Sequence, residues 1–103
     1  MLGAKGPDRF DCSGFAYWCL NQVGIKQSYM TSYRWRSCTK YTKIEDMDDL
    51  RRGDIIIYYG HVAICAGNGY MIDASSSNGK VVKRKYTSSS YWSRAFYAGF
   101  RVF

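Results

Sequence analysis

Histidine is almost missing from this 103-residue chain: His61 is the only one. Acidic residues are also few, 8 against 15 Lys and Arg, which leaves a net charge of +7 and a pI near 9.4. The 4 cysteines (Cys12, Cys19, Cys38 and Cys65) never form a C-x-x-C pair. Structural zinc sites usually draw on such pairs, and one imidazole cannot complete a second half, so neither metal nor cofactor is expected. No apolar run approaches the ~20 residues needed to cross a bilayer, so no membrane span is expected. Met1-Leu2-Gly3-Ala4 lacks the charged region and apolar stretch of a secretory signal. No internal repeat is visible.

Apolar and aromatic residues, by contrast, are plentiful. Hydrophobic residues make up 47 % and aromatics 17 % of the chain, too many for a disordered segment. The length suits one domain with a single core. A basic surface favours polyanions: nucleic acid, anionic lipid, or the acidic polymers and carboxylate-rich peptides of a bacterial wall. The densest basic cluster, Lys80, Lys83, Arg84 and Lys85, reads as a solvated strand edge.

Residues 12–23 place Phe15, Trp18, Cys19 and Val23 at helical spacing, with Asp11 as N-cap and Gly24 as stop. Cys12 and Cys19 on one helix lie ~10 Å apart at 1.5 Å per residue, too far for a disulfide. Cys19 and Cys65 read as core. Residues 25–50 read as loops with at most one short helix. After Arg52-Gly53-Asp54 the pattern turns to strands: 55–59, 61–66, 70–74, 80–85 and 96–103. The serine runs 75–77 and 88–90 read as loop tips. One helix followed by four or five neighbouring strands predicts an α+β domain with a largely antiparallel sheet.

The chemistry centres on Asp11-Cys12-Ser13-Gly14 and His61. A cysteine in the first turn of a helix sits where unpaired N–H groups and the helix dipole favour an anion. Its thiol, ordinarily near pKa ~8.5, is lowered further by a histidine partner. With one imidazole in the chain, only His61 can be that base.

Asp73 is a candidate to orient His61, and hairpin parity decides whether they meet. A two-residue turn at Asn68-Gly69 would set Ile64 opposite Asp73 and send His61 to the other face. A three-residue loop, Gly67-Asn68-Gly69, sets Ala63 opposite Asp73 and makes His61 a diagonal neighbour on the same face. The chemistry selects the three-residue loop, with Gly69 at positive φ. The same face is expected to receive the helix N-terminus, with the Cys12 sulfur close to the imidazole.

DRFDCSGF, GDIIIYYGHVAICAGNGYMIDA and WSRAFYAGFRVF, in that order, resemble the NlpC-type cysteine peptidases of bacterial cell walls, a papain-like family. The match runs from about Gly6 to Phe103, and residues 25–50 match poorly. The resemblance implies a papain-like α+β fold, with Cys12 as nucleophile, His61 as base and Asp73 in the place of the third, orienting residue. That third residue is more often His in the family. Asp11 and Ser13 would contact substrate, and Arg9, Trp35 and Tyr58 are weaker candidates. The implied activity is hydrolysis of amide bonds in peptidoglycan stem peptides, most often between γ-linked D-glutamate and a diamino acid.

Residues 1–103 are accordingly read as one peptidase domain, acting as a monomer outside the cell or at its wall. The chain is read as N-terminally truncated, because the segment that supplies an aromatic to the family's oxyanion and substrate sites does not precede Met1. The rival reading is an inactive or truncated basic module that binds wall polymer or nucleic acid. Ten tyrosines and three tryptophans suit stacking on bases or sugars. No nucleic-acid motif is recognisable, and nucleic acid is not the expected partner.

Overall fold

The computed structural model describes residues 12–24, 30–75, 80–87 and 90–102, and only the backbone of Cys12, Ser13, Ser75 and Lys80. Asp11 and Arg9 lie outside the described residues. Helix α1 spans Cys12–Gln22, and Gly24 at φ +86° closes it, donating its N–H to the Asn21 carbonyl at 3.3 Å. A positive φ costs glycine little, which makes it a natural helix stop.

Six strands follow, β1 (Thr42–Ile44), β2 (Ile55–Tyr58), β3 (His61–Gly67), β4 (Tyr70–Ser75), β5 (Lys80–Lys85) and β6 (Phe96–Arg101). Helix α2 (Ser32–Trp35) precedes β1 and helix α3 (Ser90–Ala95) precedes β6. A 3-10 helix, Met47–Asp49, lies between β1 and β2, with the Asp46 carboxylate accepting from the Asp48 N–H at 2.9 Å. The sheet order is β1-β6-β2-β3-β4-β5, antiparallel throughout.

The sheet is covered on both faces, which is why central strand β2 is an unbroken buried run, Ile55-Ile56-Ile57-Tyr58. On one face Ile55, Ile57, Val62 and Phe100 pack with Ala16 and Leu20 of α1 and Trp35 of α2. On the other, Ile56, Tyr58, Ala63, Cys65, Met71 and Tyr86 pack together, with Trp92, Ala95 and Phe96 against them. Fully buried Asp54 accepts from both Nε (3.1 Å) and Nη2 (2.8 Å) of Arg101, tying the start of β2 to the end of β6.

Three expectations need correction. The sheet has six strands rather than four or five, because β1 lies within the stretch read as loops. Only Ile44 of its three residues is buried, so it carries no hydrophobic alternation and exists through pairing with β6. Ser90 begins a helix rather than ending a loop tip, since α3 is anchored by Trp92 packing against Tyr58, ring centres 4.7 Å apart and planes tilted by 53°.

The β3–β4 hairpin is the third. Its turn is the two-residue Asn68-Gly69, both at positive φ (+56° and +83°) as a type I′ turn requires, and not a three-residue loop. A bulge supplies the missing residue: Gly67 pairs with Tyr70, yet Cys65 pairs with Met71, and Gly67 takes φ +87°. Beyond the bulge Ile64 faces Ile72, so one step further Ala63 comes opposite Asp73. The expected face assignment is reached by a different device.

Candidate active site

His61 opens β3 and pairs across the sheet with Tyr58, the last residue of β2. Its Nε2 lies 2.7 Å from Oδ2 of Asp73, whose side chain is fully buried, while the imidazole is 16 % exposed. The nitrogen facing the carboxylate is therefore Nε2.

Asp73 has a second partner. Arg84 of β5 donates Nε–H to Oδ1 at 3.1 Å and Nη2–H to Oδ2. Strand register explains this: Met71 pairs with Arg84 and Asp73 with Val82, so Arg84 sits diagonally across from Asp73 on the same face. Arg84 thus leaves the solvated edge to which the sequence reading assigned it, while Lys83 and Lys85 remain exposed. Burial pushes the Asp73 carboxyl up, but the hydrogen bonds and charges of His61 and Arg84 outweigh it and hold the group below its usual value. An ionised carboxylate only accepts, so the hydrogen between the two residues belongs to His61 Nε2.

Trp92 stacks over this pair. Its ring centre is 5.3 Å from that of His61, and the Arg84 guanidinium carbon lies 4.9 Å from the same ring. Tyr58 completes the wall, 6.3 Å from His61 between ring centres, its hydroxyl on the Met71 sulfur at 3.4 Å. Burial first, then nearby groups including Asp73, push the Tyr58 phenol well above its ordinary value, so it stays neutral.

Of the residues singled out in the sequence, His61 and Asp73 are brought together. Trp35 is instead a core residue of the opposite face. Asp11 lies outside the described residues, as do the side chains of Cys12 and Ser13; Cys12 is the first residue of α1. The body of α1 packs on the face opposite His61, because alternation along β3 turns Val62 toward the helix and His61 and Ala63 away. Helix α1 nevertheless packs on β3 itself: Ala16, one turn into α1 from Cys12, and Val62, next to His61, belong to one core cluster.

Arg84 and Trp92 escaped the sequence reading. Alternation alone would have set Val82 and Arg84 on one face of β5, but which face depends on the pairing with β4. Trp92 lay inside the third motif block without a geometric reason to single it out.

Residues 1–101 match the family model described as "NlpC/P60 family". The chain is 38 % identical over 80 residues to "Probable endopeptidase p60" of Listeria grayi, covering 73 % of this chain and 15 % of that protein. It is 29 % identical over 93 residues to "Peptidoglycan DL-endopeptidase CwlO" of Bacillus licheniformis, covering 85 % of this chain and 20 % of that one. In structure it resembles NlpC2 from Trichomonas vaginalis, with a TM-score of 0.83 at 29 % identity over 98 % of this chain and 39 % of that one. The chain belongs to the NlpC/P60 family. It spans a fifth or less of the length of these two curated relatives.

Proposed function

We propose that this domain, residues 1–103, is a cysteine peptidase that hydrolyses amide bonds in peptidoglycan stem peptides, with Cys12 as nucleophile, His61 as general base and acid, and Asp73 orienting His61. The observation that carries the reading is a buried, ionised carboxylate holding the chain's single imidazole by Nε2. The endopeptidase names of the relatives support the reaction class, and the name of the Bacillus licheniformis relative supports the substrate.

Nδ1 of His61 takes the Cys12 proton. The thiolate then adds to the scissile carbonyl, and N–H groups of the first turn of α1 stabilise the oxyanion. The imidazolium returns the proton to the leaving amine, which departs and leaves a thioester on Cys12. Water, deprotonated by His61, then attacks the thioester and releases the acid. Asp11 is assigned to a free amine of the peptide and Ser13 to a neighbouring contact. The bond assigned is that between γ-D-glutamate and the diamino acid. The protein is assigned to the wall or the outside of the cell, as a monomer.

Incubation with purified peptidoglycan and mass analysis of the fragments tests this. Release of peptides that begin with the diamino acid, leaving glycan-bound stems that end in γ-D-glutamate, is expected from the wild type and none from Cys12→Ala, with the unfolding free energy changed by no more than about 0.5 kcal/mol. Equal release by both proteins would overturn the assignment.

One observation favours the second reading, a binding module. The Arg36 guanidinium lies 4.8 Å from the Tyr33 ring and 4.9 Å from the Tyr59 ring, and both tyrosines are exposed. Wall-polymer binding that persists in Cys12→Ala without any hydrolysis by the wild type would support it.

A further inference from the structure

Among the described residues two aspartates are buried, and each is gripped by an arginine fork. Asp54 has structural partners only: Arg101 and the Arg51 N–H, which it accepts at 2.8 Å. Asp73 differs, because Oδ2 is shared between Arg84 and His61 Nε2. The same Arg84 also lies on Trp92, which stacks against the imidazole. The guanidinium therefore borders the histidine assembly on two sides.

From this geometry we infer that Arg84 is a positioning residue of the active site, one that fixes the Asp73 carboxylate against His61 and balances its charge so that the imidazole can cycle between neutral and protonated forms. A lone buried carboxylate beside a histidine favours the imidazolium strongly and discourages its return to a base. A cation on the far side of the carboxylate opposes that bias while leaving the hydrogen bond in place. The planar fork also restrains the carboxylate by two parallel bonds, which a point charge cannot do.

The titratable groups packed around the pair are few. Tyr58 comes from β2 and stays neutral, Cys65 belongs to β3, Arg84 to β5, and Tyr86 follows β5 with its phenol also pushed up by burial. Helix α3 presents Trp92, with Arg94 exposed in its last turn. Helix α1 contributes Cys12 under the peptidase reading, on which the catalytic meaning of this inference rests. Among the described residues, Arg84 is the arginine or lysine in direct contact with Asp73.

His61 is the sole histidine, so its ring resonances report one site without assignment ambiguity. The experiment is an NMR titration of the imidazole in the full chain carrying Cys12→Ala, which removes coupling to the thiol. Adding Arg84→Gln is expected to raise the His61 midpoint by about one pH unit. In protein with Cys12 intact, the alkaline limb of kcat/KM should move the same way. Arg84→Lys keeps the charge and loses the fork: its His61 midpoint should stay within about 0.3 unit of the parent, with kcat lowered about tenfold. A midpoint that is unchanged or lower in Arg84→Gln overturns the inference. Should that variant not fold, a full-unit rise in Arg84→Lys overturns it equally. The titration reads Arg84 whether or not peptidoglycan is cleaved, so failure here and failure of the peptidase reading are separate results.

Discussion

A carboxylate with no exposed surface stays ionised only where donors replace its water, and Asp73 has them from two sides. Its folded pKa lies below the unfolded value, so the stabilisation is complete above the ordinary carboxylate range near ~4 and is lost as pH falls through the lowered folded value. Thermal unfolding of the wild type should therefore drop more steeply between pH 5 and about 2 than that of Asp73→Asn, which has no proton to take up. Parallel curves would mean that Asp73 is not ionised in the fold. In turnover, Asp73→Ala should lose about 100-fold without reaching zero, because a misoriented imidazole keeps some basicity. Asp73→His should regain part of the loss. Wild-type rates in Asp73→Ala would reduce the assembly to Cys12 and His61.

At the scale of the element, the β3–β4 hairpin is where local backbone chemistry controls the site. Gly67 and Gly69 both hold positive φ, but their surroundings differ. A Cβ on Gly67 would meet only the Arg52 Cβ, at 3.7 Å, whereas one on Gly69 would lie 2.8 Å from Oγ1 and 2.9 Å from Cγ2 of Thr87. Gly67→Ala should cost about 1–2 kcal/mol of stability from backbone strain alone. Gly69→Ala should cost more, about 2–3 kcal/mol, unless Thr87 moves aside. Denaturant unfolding of the two variants checks the order. Gly67→Ala should also depress turnover beyond its stability cost, since the bulge is what turns Asp73 toward His61. Retained activity at a shifted midpoint would mean the register survives without that glycine. The need for His61 and Asp73 to share a face was legible in the sequence, and so was the positive φ at Gly69. The place of the bulge, at Gly67 rather than at the end of the loop, was not, because a two-residue turn plus one extra residue and a three-residue loop give the same register.

Across the whole molecule, the sheet separates the chain's thiols by environment. Cys65 is buried under Tyr86, its sulfur 3.8 Å from the phenol oxygen, and burial pushes the Cys19 thiol up. Cys38 is half-buried against the α1 face. Iodoacetamide near neutral pH should therefore modify Cys12 at least ~10-fold faster than any other cysteine, if a helix start and His61 hold it as thiolate. Peptide mapping with Cys38 labelled first and Cys12 inert would count against the site.

The sequence by itself determined the parts whose cause is local. The helix over 12–22 follows from its spacing and the Gly24 stop, and the main strands follow from apolar runs bounded by Gly, Asn and Asp. The choice of His61 as base follows from its being the single imidazole in the chain. Tertiary structure decided what depends on distant pairing. Strand β1 exists because β6 offers it an edge, and α3 because Tyr58 offers Trp92 a surface. Arg84 becomes part of the site because β4 and β5 align Met71 with it. Alternation tells which side chains share a face, but only the partner strand says which face looks inward, and that is why a residue readable as solvated edge lies on a buried carboxylate.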